Sequence, residues 1–242
     1  MKIAILSDIH SNLEALEAVL DRVKKEGVNR TICLGDVVGY GPDPNACIER
    51  IMESADVVLA GNHDHGVVDL TPLEHFNDVA REAAEWTKTV LKSEHSGWLA
   101  GLDMVHEEGN LLAVHATPAE PSKWHYLFSE AEIETNLAAM TLPLCFVGHS
   151  HMPVAFVQDG AGDIVVQSAN KIRFAEGRKY LINVGSIGQP RDGDPRAAFG
   201  IYEVEDNAFR LERFPYNIPS VQEKMRRFRL PIRLIERLSV GA

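Results

Sequence analysis

The sequence predicts an α/β (α+β) chain whose first half alternates strand and helix and whose second half turns to antiparallel pairing. Three observations predict it. Short apolar runs alternate with amphipathic segments from the first residues onward. Glycines and capping residues stand where one kind of segment gives way to the other. Beyond Leu111 the apolar runs crowd together with few helical stretches between them. The first pattern favours a sheet with helices packed on its faces, and the last favours hairpins.

The elements follow in order. Ile3 to Leu6 is an unbroken apolar run and reads as a buried strand. Ser11-Asn12-Leu13-Glu14 fits a capping box, with Ser11 at the cap and Glu14 three residues on. Leu13, Leu16, Leu20 and Val23 then recur at helical spacing until Gly27 stops the helix. A strand is predicted over Thr31–Leu34, a helix over Asn45–Glu53 and a strand over Val57–Ala60. Asn77 to Leu99 reads as mostly helical, with Val79, Ala83, Trp86 and Val90 along one core-facing stripe. Later strands are expected at Leu111–Val114, Cys145–Val147, Val154–Val157, Ile164–Gln167, Tyr180–Val184 and Phe199–Val204. The tail, Ser220 to Leu238, is basic and helical, broken at Pro231. Its arginines (Arg226, Arg227, Arg229, Arg233, Arg237) read as a solvated helix face. No repeat, low-complexity segment or linker divides the chain, so one domain over residues 1–242 is expected.

Composition narrows the function classes. With 242 residues, 45% of them apolar, the chain can bury a sizeable core and is not disordered. A net charge of −11 disfavours nonspecific nucleic-acid binding, while acids that converge would attract cations. Cys33, Cys47 and Cys145 are scattered and odd in number, which argues against a disulfide framework or a thiolate zinc cluster. Cys33 and Cys145 lie in apolar runs and read as small buried hydrophobes. The run before Asp8 is too short for a signal peptide or a membrane span, so a cytoplasmic protein without a membrane partner is expected.

The polar residues carry the functional signal. Asp8 and His10 follow the first strand, Gly35-Asp36 the second and Gly61-Asn62-His63-Asp64 the third. His115 ends the strand at Leu111–Val114, and Gly148-His149-Ser150-His151 follows the one at Cys145–Val147. Ligands of open sheets collect beyond the carboxyl ends of strands, so five strand ends can converge. Each motif alone has an ordinary reading as a turn or a satisfied core polar group. Their joint order does not. His65, His75, His95, His106 and His125 lack this placement and read as surface or structural. Mixed oxygen and imidazole donors suit Mn, Fe, Zn or Co rather than soft thiolate chemistry. Seven such ligands exceed one tetrahedral ion and fit two divalent metal ions sharing a carboxylate, a pair able to drive phosphoryl displacement.

This ordered set resembles the calcineurin-like metallophosphoesterase superfamily. Asp8-Ile9-His10-Ser11-Asn12, Gly39-Tyr40-Gly41-Pro42 and Asn183-Val184-Gly185-Ser186 resemble its small bacterial and archaeal phosphodiesterase-like branch, which extends the likeness over nearly the whole chain. The resemblance implies a four-layer α/β/β/α sandwich, two mixed sheets packed together with helices outside. It implies that Asp8, His10 and His151 hold one metal, that Asn62, His115 and His149 hold the other, and that Asp36 bridges. A bridging hydroxide would attack phosphorus, with His63 off the metals as general acid to the leaving group. Asp64 would either orient His63 or serve a turn. Arg191 would either clamp a phosphate or pair with Asp192 or Asp194. Trp124, His125 and Tyr126 would either stack on a base or aryl group or simply pack.

The implied function is a dimetal phosphodiesterase or phosphatase acting on a small phosphate ester or nucleotide-like substrate. A diadenosine tetraphosphatase or protein phosphatase shares these motifs. A protein-interaction scaffold of this fold, such as a retromer subunit, has a degenerate metal site, whereas all the metal-competent residues are present here.

Overall fold

The computed structural model describes residues 1–242. Strands β1 (Lys2–Leu6), β2 (Arg30–Cys33) and β3 (Val57–Val58) alternate with helices α1 (Leu13–Lys25) and α2 (Pro44–Ser54). Three helices follow, α3 (Asn62–Val67), α4 (Asp78–Val90) and α5 (Ser93–Ala100). Next come β4 (Val105–Glu108), β5 (Leu111–Val114), α6 (Glu130–Ala139) and β6 (Leu144–Val147). The rest is largely antiparallel: β7 (Val154–Gln158), β8 (Ile164–Gln167), β9 (Lys171–Arg173), β10 (Lys179–Asn183), β11 (Ala197–Glu203) and β12 (Ala208–Phe214). Helices α7 (Ile218–Arg227) and α8 (Ile232–Arg237) close the chain.

The strands form two mixed six-stranded sheets, ordered β3-β2-β1-β11-β12-β9 and β4-β5-β6-β10-β7-β8. In the first, β1, β2 and β3 are parallel and β11 joins β1 antiparallel, with Ala4 opposite Ile201. In the second, β5, β6 and β10 are parallel, with β4 and β7 antiparallel at either side. Period-two alternation sorts the side chains into layers. Ile3, Ile5 and Ile32 meet Ala113, Phe146 and Ile182 between the sheets. Ala4, Leu6 and Cys33 face the other way, onto Leu16, Val19 and Ile48 of α1 and α2. In the second sheet Leu112, Val114 and Cys145 face outward onto Ile133 and Leu137 of α6. The result is helix, sheet, sheet, helix, as the resemblance implied. Phe146 is fully buried between the sheets, and truncating such a ring to alanine costs roughly 3–5 kcal/mol.

Several local expectations change. Asn12, not Ser11, caps α1, its side chain accepting from the Ala15 amide at 3.1 Å. Ser11 takes φ +54 in the preceding loop, and Glu14 accepts instead from Ser220 at 2.6 Å on α7. The helical stretch from Asn77 splits into α4 and α5 because Asn45 captures both the Val90 carbonyl at 2.8 Å and the Lys92 amide at 2.9 Å. Strands β4, β9 and β12 lack the apolar runs that mark the others. β4 and β9 are short, mainly polar edges, and β12 alternates apolar with charged residues. The tail is helical and broken near Pro231 as predicted, and Val221, Met225, Leu234, Ile235 and Leu238 pack with Ala80, Ala83 and Tyr40. That packing brings α8 beside the strand ends.

Candidate metal centre

The parallel strands deliver their ends to one place, and the loops beyond them are tied to one another. The Asp8 amide donates to the Gly35 carbonyl at 3.0 Å, and the His10 amide to that of Asp36 at 2.9 Å. The Gly148 amide donates to the His115 carbonyl at 2.8 Å, and the His149 amide to Asp8 Oδ2 at 3.0 Å. Asp8, His10, Asp36, His149 and His151 all sit at positive φ, between +49 and +65. Left-handed backbone at a side-chain-bearing residue costs about 1–3 kcal/mol and persists only where its surroundings enforce it. Close approach adds a second constraint. A Cβ on Gly148 would lie 1.9 Å from Ser7 Oγ and 2.4 Å from Asp8 Oδ2.

The side chains form two groups with one shared member. One donor atom each from Asp8, His10, Asp36 and His151 lies within 4.8 Å of the others, and so do donors of Asp36, His115 and His149. Asp36 belongs to both groups. All six residues are buried. Three of the rings are oriented alike: Nδ1 of His10 faces the Val38 carbonyl at 3.1 Å, that of His115 the Leu34 carbonyl at 3.1 Å, and that of His151 the Gln189 carbonyl at 2.6 Å. A carbonyl only accepts, so each Nδ1 carries a proton, and in the neutral ring each Nε2 keeps its lone pair. Those Nε2 atoms turn toward the carboxylates, 3.5 Å from Asp36 for His10, 3.4 Å from Asp36 for His115 and 3.3 Å from Asp8 for His151.

This arrangement fits cations. Nε2 of His10 and Nε2 of His151 lie 3.0 Å apart. With both Nδ1 atoms protonated, two lone pairs oppose each other there, an arrangement a positive charge relieves. Asn62 Oδ1 and His115 Nε2 are buried without a hydrogen-bond partner, and such groups cost free energy unless something satisfies them. Divalent metals are the chemistry of the superfamily that the sequence resembles, and an oxygen–imidazole donor set suits Mn, Fe, Zn or Co. No cysteine takes part: all three are buried, and burial raises their thiols well above the usual range.

The titration pattern keeps every donor but one ready. Burial alone would raise Asp8, but the rings of His151 and His115 outweigh it and hold the carboxyl below its ordinary range. Asp36 is likewise lowered, its burial overcome by His115 and His63. Burial keeps His10 and His151 neutral and brings His63 to about 4 and His149 to about 3. His115 goes the other way, to about 9, because the negative charge of Asp36 overrides its burial, so a cation at its Nε2 would have to displace a proton.

A cleft of about 340 Å³ opens over the second group, lined by Asn62, His63, Phe76, Trp124, Tyr126 and His149 among others. His63 belongs to neither donor group; its ring packs 4.4 Å from Tyr40 and 4.8 Å from Phe76. Asp64 does not orient it. Its two oxygens accept the Val38 amide at 3.1 Å and the Gly61 amide at 3.0 Å, which is the turn role. The Trp124 carbonyl meets His149 Nε2 at 2.9 Å, and Tyr126 stacks on the His149 ring at 4.2 Å. His125 is exposed, 3.5 Å from Glu120, and does not line the cleft. Arg191 pairs with neither nearby acid. Asp192 takes Arg213 and Asp194 takes Arg196, while Arg191 donates to the Tyr40 hydroxyl at 3.2 Å and to Gln189 Oε1 at 3.1 Å.

Among the remaining histidines, His65 and His95 are buried and structural, and His75 lines the cleft rim. Tyr40 carried no role in the sequence, yet its ring lies 4.5 Å from that of His10. Its only signal was its place between Gly39 and Gly41 in the loop after Asp36. Arg237 is half-buried and lines a cavity, contrary to the solvated face expected of it, while Arg233 is exposed as expected at the same cavity. Arg226, Arg227 and Arg229 are exposed as expected.

Known proteins share this architecture. A family model described as the calcineurin-like phosphoesterase superfamily domain matches residues 1–207. An uncharacterised protein of Methanocaldococcus jannaschii is 42% identical, covering 99% of this chain and 98% of that protein. The phosphodiesterase YfcE of Escherichia coli is 27% identical over 84% of this chain and 88% of its own. The crystal structure of a metallophosphoesterase from Sphaerobacter thermophilus superimposes with a TM-score of 0.89 at 38% identity, covering 100% of this chain and 99% of that one. Two mixed sheets between helices, five converging strand ends and a family match over most of the chain have one reading: the chain belongs to the calcineurin-like phosphoesterase superfamily.

Proposed function

We propose that this protein is a dimetal phosphoester hydrolase, a phosphodiesterase or phosphatase for small or nucleotide-like esters. The observation that carries the reading is the pair of donor groups joined by Asp36, with His63 outside both. In this reading Asp8, His10 and His151 would hold one ion and Asn62, His115 and His149 the other, with the charge of Asp36 shared between them. When bound, the two cations would polarise the phosphoryl group and lower the pKa of an attacking water.

The protein's own side chains do the rest. The backbone carbonyls of Val38, Leu34 and Gln189 hold three imidazoles in the tautomer that keeps Nε2 free. His63 supplies the leaving alkoxide with a proton. Its ring is neutral among Tyr40 and Phe76, and the negative charge of a phosphate beside it favours the imidazolium. Trp124 and Tyr126 wall the cleft with aromatic faces suited to a base or aryl group.

The test is hydrolysis of bis(p-nitrophenyl) phosphate and p-nitrophenyl phosphate by the purified protein loaded with manganese. Turnover should vanish on chelation and return with added metal. If the protein binds manganese, zinc, iron or cobalt and turns over neither ester with any of them, it is not a phosphoester hydrolase but a scaffold.

A further inference from the structure

Beside the metal centre lies a second cavity, of about 390 Å³, and its walls carry an unneutralised charge. Arg191 enters it from the loop after β10, and Arg233 and Arg237 enter from α8. None of the three pairs with a side-chain carboxylate, although the chain carries 35 acidic residues against 24 basic ones. The one acid in the wall, Asp78, is engaged by Arg81 at 2.6 Å. Gln189 Oε1 accepts from Arg191 at 3.1 Å and from Arg237 at 3.0 Å. Two guanidiniums thus converge on a single neutral oxygen. Arg237 also donates to the Ala242 carbonyl, and Arg191 Nε is buried with no partner. Burial, with the nearby charge of Arg191, lowers Arg237 to about 10.

Such a cluster is unfavourable by itself and favourable around an anion. Guanidinium forks match the oxygens of a phosphate, and each charge-assisted hydrogen bond is roughly twice as strong as a neutral one. The cavity adjoins the cleft over the metal centre, with Tyr40 and Asn77 lining both. Tyr40 presents its ring to His10 and His63 and its hydroxyl to Arg191. A substrate with its scissile phosphorus at the metal centre can therefore extend past Tyr40 into the arginines.

We propose that the pocket formed by Arg191, Arg233 and Arg237 receives a second phosphate group of the substrate, so that the protein selects esters bearing a further phosphate beyond the scissile one. The proposal rests on the hydrolase reading of the metal centre.

A matched pair of esters tests it: the p-nitrophenyl ester of thymidine phosphate, and the same ester with a second phosphate on the other sugar hydroxyl. The manganese-loaded wild type should favour the bisphosphorylated ester in kcat/KM by on the order of tenfold or more. The exposed Arg233, changed by Arg233→Glu, should bring the two esters toward parity, and so should Arg237→Gln. Thermal unfolding checks that each variant is folded, and Arg233→Glu lies where the packing of α8 is not at stake. Equal kcat/KM for the two esters in the wild type, or a preference that survives both variants, overturns the proposal.

Titration calorimetry reads the pocket without turnover, comparing thymidine bisphosphate with the monophosphate on the same manganese-loaded protein. Tighter binding of the bisphosphate that Arg233→Glu abolishes supports the subsite even if neither ester is hydrolysed, a result that would count against the hydrolase reading alone. Inorganic phosphate is the third probe. Arginine-dependent binding of free phosphate, with no gain from the second group of the bisphosphate, marks a free-anion site and overturns the proposal.

Discussion

The metal centre and the arginine pocket stand on either side of Tyr40, and they are built in opposite ways. In the first, short side chains project from loops tied together by backbone hydrogen bonds, and five of the donor residues are held in left-handed conformation. In the second, three long side chains from a loop and a late helix meet around one amide oxygen. Removing an arginine leaves α8 anchored by Leu234, Ile235 and Leu238. No ligand of the metal centre is separable from its loop in this way. The difference teaches that, in the proposed reading, the chemistry would be fixed by backbone and the selectivity by side chains that can change one at a time.

The sharpest way to break this contrast is at its most connected point. Asp36→Asn keeps an acceptor for the His63 amide, now 2.8 Å from Oδ1, but removes the charge that both donor groups share. Hydrolysis should fall on the order of a thousandfold or more, since it loses several kcal/mol of charge stabilisation. Elemental analysis should find fewer than two ions per chain. A variant that retains both ions and most of its turnover would show that Asp36 does not bridge.

His63→Ala separates chemistry from metal binding inside the same region. His63 lies outside both donor groups, so metal content should hold. Turnover of an alkyl ester should drop by about a hundredfold to ten-thousandfold, and that of a p-nitrophenyl ester by less, because a good leaving group needs no proton. Equal losses on both esters would remove the general-acid role.

How much of this was legible in the sequence follows the same division. The donor residues that cluster were, because each sits just after an apolar run that reads as a buried strand, and four of the five loops carry a glycine or a second donor as a marker. The layered fold was legible for the central strands, whose runs are continuous. Edge strands β4 and β9 were not, because an edge needs no apolar face to be held. Ser11 and Asn12 are equally good caps by type, and the tertiary position of the Asp8–Ser11 loop chose between them. Arg233 and Arg237 look like any solvated helical arginines, since the cavity they face is made by residues far away in the chain, Tyr40 and Arg191. Residues whose role comes from local sequence could be read; those whose role comes from what packs opposite could not.

Gly148→Ala tests whether backbone approach, rather than any ligand, limits the metal centre. The new methyl would collide with Ser7 Oγ and Asp8 Oδ2, and overpacking of this kind costs about 1–3 kcal/mol. The denaturation midpoint should fall, and manganese affinity should fall with it as Asp8 is displaced. Gly97→Ala in α5 is the control: its Cβ meets nothing within 4 Å, and alanine is favoured in a helix by up to about 1 kcal/mol. If Gly148→Ala is as harmless as Gly97→Ala, the loops are softer than their hydrogen bonds imply.

Tyr40→Phe is the mildest change and bears directly on the boundary between the two regions. It leaves the ring that packs against His10 and His63 and deletes only the hydroxyl to which Arg191 donates at 3.2 Å. A single hydrogen bond of this kind contributes about 0.5–1.5 kcal/mol. The loss should appear as a rise of less than about tenfold in KM for the bisphosphorylated ester, with kcat moving less. Gln189 still holds Arg191, so the guanidinium is loosened rather than freed. A large fall in kcat would mean that the hydroxyl acts on the reacting group, and Tyr40 would then belong to the chemistry instead of dividing it from the pocket.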